Sequence, residues 1–343
     1  MDRLCDEISA YKGRDIRVNS IFLGGGTPSL LTPDELRRIM AVVKDSFILE
    51  ADLEFTAEAN PGTLSSEKLD AFIECGVNRL SMGLQSIHQN ELKILGRIHN
   101  FEDFVSSYKL AREKGIGNIN LDLMYGIPLQ TESSFKETLE AIVSYSPEHI
   151  SAYALKIEPG TVFFKNKEKL LLPDEDSEYN MYKLAVQTLA ENDYCHYEIS
   201  NYAKKGFEAR HNIKYWNADD YIGFGVSAHS CIKQNRYAVI DETSKYSDII
   251  LNDLNEDYYF ETESLSEKEF SEEYIMMRLR LNSGLSPKEY KEKFFCDIPD
   301  KYIKRMFPFI QSGHIINSDK GFSLSDDGMY VSNYILSEIL DLE

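Results

Sequence analysis

Closely spaced cysteines are absent from this sequence. Its 343 residues contain five cysteines with no CxxC or CxxxCxxC spacing, and these are Cys5, Cys75, Cys195, Cys231 and Cys296. Scattered single thiols are typical of a protein in a reducing compartment, and they exclude a disulfide framework. We therefore expect a cytoplasmic protein. The same spacing excludes a metal site built from thiolates that are neighbours in the sequence.

Basic residues and long apolar runs are also scarce. Lysine and arginine number 37 against 57 aspartates and glutamates, which gives a net charge of -20. Nucleic acid and anionic membranes repel such a chain, so we expect neither as a main partner. No apolar run approaches the roughly 20 residues that span a bilayer, and residues 1–15 are too polar for a signal peptide. We expect no stable insertion into a membrane.

The sequence is organised around a glycine loop. Residues 21–23 are apolar and lead directly into Gly24, Gly25 and Gly26. This pattern predicts a buried parallel strand whose end offers backbone N–H and C=O groups to a ligand. Thr32 and Glu35 then predict the capped start of a helix. A tight turn without a ligand is the alternative. The loop is neither Walker A nor GxGxxG, so nucleotide phosphate is not the expected ligand.

Strand and helix patterns alternate through the first two hundred residues. Four segments have the apolar character of strands, at 53–62, 78–86, 118–125 and 149–157. Helical patterns lie between them, and one places Phe101, Phe104 and Tyr108 on a single face. Repeated units of this size predict an α/β fold with a parallel sheet, either open or closed into a barrel.

Polar residues recur at the ends of these strands. Glu58, Gln85 and Asp122 each interrupt or end an apolar strand. Because the carboxyl ends of parallel strands meet at one edge, the three together favour a small-molecule site. For each one alone, a capping or loop role is the alternative. Arg97 follows the Gln85 strand and offers a cation to a carboxylate, with a solvated helix-end arginine as the alternative.

Five motifs follow one another between Gly24 and Thr161. They are Gly-Gly-Gly-Thr-Pro-Ser, Glu-Ala-Asn-Pro-Gly-Thr, Gly-Val-Asn-Arg-Leu-Ser-Met-Gly-Leu-Gln-Ser, Asp-Leu-Met-Tyr-Gly-Ile-Pro and Tyr-Ala-Leu-Lys-Ile-Glu-Pro-Gly-Thr. In this order they resemble the oxygen-independent coproporphyrinogen III oxidase family of radical S-adenosylmethionine (SAM) proteins, nearly end to end. The resemblance implies a partial (β/α)6 barrel that binds SAM at its mouth.

The resemblance also assigns residues to SAM. By position, Gly25, Gly26 and Thr27 would contact the methionine part of SAM, with Glu58 beside them. The positions that match a second SAM site in the oxidase are Gln85, Arg97, Asp122 and Ala154. His229 falls where the oxidase has an apolar residue against the first SAM. A zwitterionic methionine needs both carboxylates and cations or backbone donors, which this set of residues provides.

Residues 211–216 are similar to the HNxxYW stretch of the heme-chaperone branch of this family. The resemblance implies that His211 ligates heme iron while Tyr215 and Trp216 pack on the macrocycle. A structural histidine beside core aromatic residues is the alternative from the residues alone. A heme chaperone would pass heme or a related porphyrin to a recipient protein.

The cluster loop of the family is the main departure. Its CxxxCxxC follows the first barrel strand and precedes a helix resembling residues 2–12, and this sequence starts at that helix. In the family, three thiolates hold a [4Fe–4S] cluster and leave its fourth iron for SAM. We expect this chain to be shortened at its N-terminus, to lack the first barrel strand and the cluster, and not to cleave SAM reductively.

The sequence changes character after residue 205. We predict a partial barrel over 1–205 and a middle segment over 206–262 with the HNxxYW stretch, glycine-rich strands at 224–240 and an acidic linker at 241–262. A C-terminal domain covers 263–343, where helical patterns and a hairpin at 314–324 suggest a winged-helix-like α+β fold. Its acidic setting favours packing against the barrel or a partner over reading DNA.

Three functions remain open from the sequence. The first is a heme chaperone that uses SAM and a cluster structurally or for redox control. The second is an oxidase that decarboxylates coproporphyrinogen III. The third is a remnant without a cluster that only binds or scaffolds. The HNxxYW stretch favours the first over the second, and the absent cysteine motif favours the third for the chain as written.

Overall fold

The computed structural model describes residues 1–248 and 259–341. The chain forms two compact units. The first unit contains Met1–Ile21, Thr32–Glu54 and Ala209–Glu343, and the second contains Phe22–Leu31 and Phe55–Glu208. The domain boundaries at residues 205 and 263 stay a prediction.

Strands and helices alternate along the first two hundred residues, as the patterns predicted. The strands are β1 (Arg17–Leu23), β2 (Ile48–Ala59), β3 (Arg79–Gln85), β4 (Asn118–Tyr125), β5 (His149–Ala154), β6 (Cys195–Glu198), β7 (Asn201–Ala203), β8 (His229–Ile232), β9 (Asn235–Val239), β10 (Tyr259–Ser264), β11 (Ile315–Ser318) and β12 (Gly321–Leu324). The helices are α1 (Asp2–Ser9), α2 (Pro33–Ser46), α3 (Ser66–Cys75), α4 (Gln89–Ile94), α5 (Phe101–Glu113), α6 (Glu132–Ser144), α7 (Val162–Lys165), α8 (Glu175–Ala190), α9 (Arg210–Trp216), α10 (Thr243–Asp248), α11 (Glu267–Leu279), α12 (Pro287–Phe294), α13 (Asp300–Gln311), α14 (Asp326–Tyr330) and α15 (Ser332–Leu340).

The main sheet has seven strands in the order β1-β2-β3-β4-β5-β7-β6. Strands β2 to β5 pair in parallel, with Leu80 opposite Ile119 and Leu121 opposite Ile150. The predicted parallel sheet is therefore confirmed. Strands β6 and β7 form an antiparallel hairpin against β5.

Local sequence signals explain where the helices of the second unit begin and end. Ser65 accepts a hydrogen bond from the backbone of Lys68 at the start of α3, and Gly76 ends that helix with a φ of 101°. The helices bury one apolar face, and Phe72, Phe104 and Phe135 are almost fully buried. Burying each such side chain stabilises the fold by about 1.5–3 kcal/mol.

The first unit contains a second sheet with the order β10-β9-β8, in which neighbouring strands are antiparallel. Two predictions need correction here. Residues 224–228 form a turn rather than a strand, because Gly225 and Ser227 have positive φ angles of 103° and 58°. The predicted linker at 241–262 contains α10 and the start of β10, which pairs with β9. Residues 249–258 of that linker lie outside the described residues.

The last part of the first unit contains helices α11 to α13, followed by the hairpin of β11 and β12 and by two short helices. The hairpin predicted at 314–324 is confirmed, with Ile315 opposite Leu324. Three helices followed by a two-stranded hairpin match the predicted winged-helix-like α+β arrangement. Among the helices at residues 1–248 and 259–341, none combines the length and the apolar character needed to cross a bilayer.

Candidate functional site

The glycine loop follows the end of β1. A side chain at Gly24 would collide with the ring of Phe22 and would come within 3.1 Å of the carboxyl carbon of Glu58. Gly25 and Gly26 have φ angles of 75° and 123°, which side chains disfavour. The backbone N–H of Gly25 donates a hydrogen bond to the carboxylate of Glu58. Two constraints therefore favour glycine in this loop. Phe22 and Glu58 lie close to Gly24, and Gly25 and Gly26 have positive φ angles.

Residues that follow β2 hold the glycine loop in place. The hydroxyl oxygens of Ser29 and Thr63 are 2.5 Å apart, and Asn60 donates from Nδ2 to Oγ1 of Thr27 over 3.3 Å. Lys68 donates from Nζ to the backbone carbonyl of Ser29 over 2.5 Å. These bonds connect the loop to the start of α3, so the loop is part of the rigid sheet edge.

A polar cavity of about 280 Å³ lies at the carboxyl ends of β2 to β5. Its lining residues are Gly26, Thr27, Pro28, Glu58, Ala59, Asn60, Ser81, Gly83, Gln85, Arg97, Asp122 and Tyr153. All of them belong to the second unit. The prediction that polar residues at the strand ends meet at one edge is confirmed for Glu58, Gln85 and Asp122.

Asp122 is held by neighbours on β3 and β4. Asn120 donates from Nδ2 to Oδ1 of Asp122 over 2.7 Å and to Oγ of Ser81 over 2.8 Å. Ser81 in turn donates to Oδ2 of Asp122 over 3.4 Å. Both oxygens of the carboxylate therefore have a fixed partner, which orients Asp122 before a ligand arrives.

Gln85 and Arg97 form another side of the cavity. Gln85 has a φ of 71°, and its Oε1 accepts a hydrogen bond of 3.0 Å from the hydroxyl of Tyr153. A positive φ at a residue other than glycine is uncommon and marks a locally constrained backbone. Arg97 is half-buried and approaches Oδ1 of Asn60 with Nη1 at 3.5 Å. Arg97 thus faces the cavity, against the alternative of a solvated helix end.

The cavity combines two carboxylates with raised pKa values. Burial and the nearby Asp122 raise the pKa of Glu58, while the N–H of Gly25 opposes this shift. Burial likewise raises the pKa of Asp122, with the hydrogen bond from Asn120 and the charge of Arg79 opposing it. Burial raises the pKa of Tyr153 to about 12. Two neighbouring carboxylates that are costly to ionise favour a ligand with positive charge.

The structure separates the residues assigned to SAM into three groups. Gly26, Thr27, Glu58, Gln85, Arg97 and Asp122 line the cavity. Gly25 bonds Glu58 beside it, and Ala154 follows the lining residue Tyr153 on β5 without lining the cavity itself. His229 is an exposed residue of β8 in the first unit and is not among the lining residues.

Sequence reasoning missed six lining residues, which are Pro28, Ala59, Asn60, Ser81, Gly83 and Tyr153. Ser81, Gly83 and Gln85 alternate along β3, and residues two apart in a strand share a face. Once Gln85 is assigned to the site, this two-residue period predicts that Ser81 and Gly83 face the same site. A side chain at Gly83 would come within 3.1 Å of Nε2 of Gln85, so glycine leaves room for Gln85.

The HNxxYW stretch forms α9 in the first unit. The carboxylate of Glu54 accepts hydrogen bonds of 2.9 Å from the backbone N–H groups of Arg210 and His211. Oγ of Ser20 lies 3.0 Å from Nδ1 of His211, and the hydroxyl of Tyr215 lies 2.9 Å from its Nε2. Both ring nitrogens of His211 therefore have a hydroxyl partner.

The aromatic residues of α9 differ in exposure. Tyr215 is 39% exposed, and its ring meets the ring of Tyr221 edge to face with centroids 4.7 Å apart. Trp216 is half-buried, with the guanidinium of Arg280 5.8 Å from its ring centroid. Tyr215 thus offers an accessible ring next to His211, while the ring of Trp216 is engaged with a cation.

The five cysteines lie in different environments. Cys5 and Cys75 are buried, Cys231 is half-buried, and Cys195 and Cys296 are exposed. All five are free thiols. Within residues 1–248 and 259–341, no three His, Cys, Asp or Glu side chains lie close enough together to hold a metal ion. These cysteines do not fit a [4Fe–4S] cluster, which takes three thiolates in this class of protein.

A parallel sheet with a glycine loop and a polar cavity at its carboxyl edge agrees with the radical SAM class that the motifs implied. Comparison with known families supports this class, since residues 1–142 match the radical SAM superfamily and residues 265–331 match the HemN C-terminal domain. Coproporphyrinogen III oxidase (HemN) from Escherichia coli, described as a radical SAM enzyme, has the same fold with a TM-score of 0.84 and 23% identity, over 98% of this chain and 82% of that one. The predicted fold class is thereby confirmed.

Sequence relatives identify the branch. The chain is 35% identical to the heme chaperone HemW of Bacillus subtilis, over 94% of this chain and 86% of the relative. It is 32% identical to the heme chaperone HemW of Lactococcus lactis, over 99% of this chain and 89% of the relative. The chain belongs to the HemW family of radical SAM proteins. The resemblance predicted from the five motifs and from HNxxYW is confirmed.

Proposed function

We propose that this chain is a heme chaperone that binds heme through α9, binds SAM in the polar cavity and delivers heme to a recipient protein. The observation that carries the proposal is the arrangement of His211 and Tyr215 on α9. An imidazole beside an exposed aromatic ring provides both an iron ligand and a surface for the macrocycle. The relatives that are named heme chaperones support the same function.

The hydrogen bonds of His211 suit reversible binding. A histidine ligates iron through a nitrogen without a proton, and Ser20 and Tyr215 decide which nitrogen that is. If Nε2 binds the iron, the hydroxyl of Tyr215 has to give up its contact of 2.9 Å. That contact re-forms when heme leaves. Losing one hydrogen bond costs about 0.5–1.5 kcal/mol, so heme binding is weakened but not prevented. A protein that releases its heme requires such moderate affinity.

The cavity residues fit SAM, the cofactor that the family implies. SAM carries a sulfonium and an ammonium group, and the paired carboxylates Glu58 and Asp122 favour such positive charge. Arg97 offers a cation to the carboxylate of the methionine part. The glycine loop presents backbone groups that no side chain obstructs. Gly25 and Ala154 would contribute through their backbones.

The family also implies a [4Fe–4S] cluster, and the cysteines of this chain do not fit one. In our proposal the chain binds SAM and heme. The oxidase alternative, decarboxylation of coproporphyrinogen III, is supported by the fold alone at 23% identity. The five free thiols support a reducing compartment such as the cytoplasm.

A heme titration tests the proposal. Hemin is added to the purified chain and to His211→Ala, and the Soret band is followed. We expect the parent to bind hemin, and His211→Ala to bind at least tenfold more weakly with a shifted band. His229→Ala is the matched control, because His229 is an exposed histidine of the same unit. Circular dichroism checks that each variant is folded. A folded His211→Ala protein that titrates like the parent removes α9 from the proposal.

A further inference from the structure

Five exposed apolar side chains lie on two loops of the second unit. They are Leu129, Val162, Phe164, Leu171 and Leu172, and Val162 and Leu171 are 74% and 70% exposed. Each side chain of this kind gains about 1.5–3 kcal/mol when it is taken out of water. Contiguous exposed apolar patches with a polar rim mark binding surfaces. We call these five residues the loop patch.

Backbone contacts join the two loops of the patch. The N–H of Leu129, in the loop after β4, donates a hydrogen bond of 2.8 Å to the carbonyl of Leu171, in the segment after β5. The segment after β5 is itself ordered by α7 and by a short helical turn at Lys167–Lys169. Both loops leave the carboxyl edge of the sheet, the edge that carries the polar cavity. The hydrogen bond between Leu129 and Leu171 thus holds the two loops together.

The patch carries positive charge in an acidic chain. Residues 155–172 contain four lysines and two glutamates, whereas the whole chain has a net charge of -20. Lys167 lies over the ring of Phe164, with Nζ 5.1 Å from the centroid. Lys165 and Lys169 are exposed and form no ion pair with any residue that the structure describes. Apolar side chains and unpaired ammonium groups are therefore interleaved.

We propose that the loop patch binds the macrocycle of a tetrapyrrole and that Lys165 and Lys169 pair with its carboxylates. A tetrapyrrole such as heme is a flat apolar ring with propionate carboxylates on one edge, which matches apolar side chains flanked by lysines. The polar cavity cannot cover such a ring, since its lining is mostly polar. The inference rests on the proposed heme function and deepens it, because it names a site of the second unit that binds the ring and carboxylates of a tetrapyrrole independently of His211.

An anionic membrane is the competing occupant, because lysines and apolar side chains also suit lipid surfaces. The net charge of -20 argues against it, since a large anionic surface is repelled by the whole chain. A single porphyrin with two carboxylates is small enough to feel mainly the nearby lysines, because charges beyond about 8 Å are screened at physiological salt.

Iron-free protoporphyrin IX separates this site from iron ligation. The double variant Phe164→Ser/Leu171→Ser should bind protoporphyrin IX at least tenfold more weakly than the parent, by quenching or anisotropy of porphyrin fluorescence. Lys165→Glu/Lys169→Glu should weaken binding at least threefold and reduce its dependence on salt, because the lysines act by charge. Protoporphyrin IX has no iron for His211 to ligate, so its binding reports the contacts of the ring and carboxylates alone.

The matched control is Ile73→Ser, which removes another exposed apolar side chain of the second unit, on α3. It should bind protoporphyrin IX like the parent, and circular dichroism should show all variants folded. Unchanged porphyrin binding by folded Phe164→Ser/Leu171→Ser overturns the inference while hemin binding by the parent keeps the proposed function. Parent protein that binds neither hemin nor protoporphyrin IX refutes the function itself.

Vesicles of phosphatidylglycerol test the competing occupant. If they bind the parent but not the patch variant, and porphyrin binding is unaltered, the loop patch binds lipid instead.

Discussion

Asn120 orients Asp122 from two residues away on β4, through a hydrogen bond of 2.7 Å from its Nδ2 to Oδ1 of the carboxylate. Because Nδ2 is the donor, Oδ1 of Asn120 must accept, and it lies 2.6 Å from Nδ1 of His149. His149 therefore carries its proton on Nδ1 and accepts at Nε2 from the hydroxyl of Tyr197, 2.8 Å away. Burial lowers the pKa of His149 well below its ordinary value, so the ring is neutral.

The first prediction concerns this network and SAM. Asp122→Ala should weaken SAM binding about tenfold or more, because hydrogen bonds to a charged group contribute about 1.5–3 kcal/mol. Asn120→Asp should weaken it in the same direction, since aspartate cannot donate to Asp122. Isothermal calorimetry measures both.

Asp70→Ala is the control for these variants, because Asp70 pairs with Lys114 on the outer helices. It should bind SAM like the parent. Equal affinities for Asp122→Ala and the parent would show that the cavity does not bind SAM through Asp122.

The second prediction concerns the hydroxyl of Tyr215. Tyr215→Phe keeps the ring for the macrocycle and removes the bond to Nε2 of His211. Heme binding should tighten by about two- to tenfold, the equivalent of a net hydrogen bond of about 0.5–1.5 kcal/mol. The hemin titration of the Soret band measures it. Tyr221→Phe is the control, since Tyr221 contacts the ring of Tyr215. Weaker binding by Tyr215→Phe would mean that the hydroxyl supports the ligand rather than competing with the iron.

The third prediction concerns Glu198, which is 1% exposed at the turn between β6 and β7. Burial raises the pKa of Glu198 from 4.5 to about 7, and its Oε1 has no hydrogen-bond partner among the described residues. Because the folded protein holds this proton more tightly than the unfolded chain, the associated stability is present below about pH 4.5 and is lost as the pH rises to about 7. The loss amounts to about 3 kcal/mol.

Glu198→Gln removes this titration. The free energy of unfolding, measured with urea between pH 4.5 and 7.5, should fall with rising pH in the parent by about 3 kcal/mol more than in Glu198→Gln. Glu191→Gln, at the exposed end of α8, should keep the slope of the parent. Parallel slopes for Glu198→Gln and the parent would contradict the raised pKa.

The fourth prediction concerns iron and sulfide. Reconstitution of this 343-residue chain under argon should give no stoichiometric [4Fe–4S] absorption or electron paramagnetic resonance signal, because its five cysteines are dispersed. A signal near one cluster per chain that survives Cys5→Ala would overturn this expectation.

Local signals in the sequence predicted much of the fold. Thr32 and Glu35 form the predicted capping box of α2, and β11 and β12 form the hairpin predicted at 314–324. These elements depend on hydrogen bonds between residues close in the chain, so the sequence contains the whole signal. The strand β10 was missed because its pairing with β9 is a contact between distant residues that no local pattern encodes.

The lining residues of the cavity were predicted only in part, because only some of them stand out in the local sequence. Glu58, Gln85 and Asp122 stand out as polar residues in apolar strands, and the structure brings them together. Tyr153 reads as an ordinary strand aromatic, and only its bond to Gln85 shows that it belongs to the cavity. His229 lies on β8 of the first unit and is not among the lining residues of this cavity, so its assignment to SAM by family position stays a prediction.

The position of Tyr197 in the chain affects the order in which the hydrogen bonds around His149 form during synthesis. During synthesis the lining residue furthest along the chain, Tyr153, leaves the ribosome before Tyr197 does. Until the hairpin of β6 and β7 pairs with β5, Nε2 of His149 lacks its hydroxyl donor, while Ser81 and Asp122 already contact Asn120. Folding proceeds from the N-terminus as the chain emerges. A nascent chain that ends before Tyr197 therefore contains every lining residue of the cavity but leaves the buried Nε2 of His149 without its hydroxyl partner.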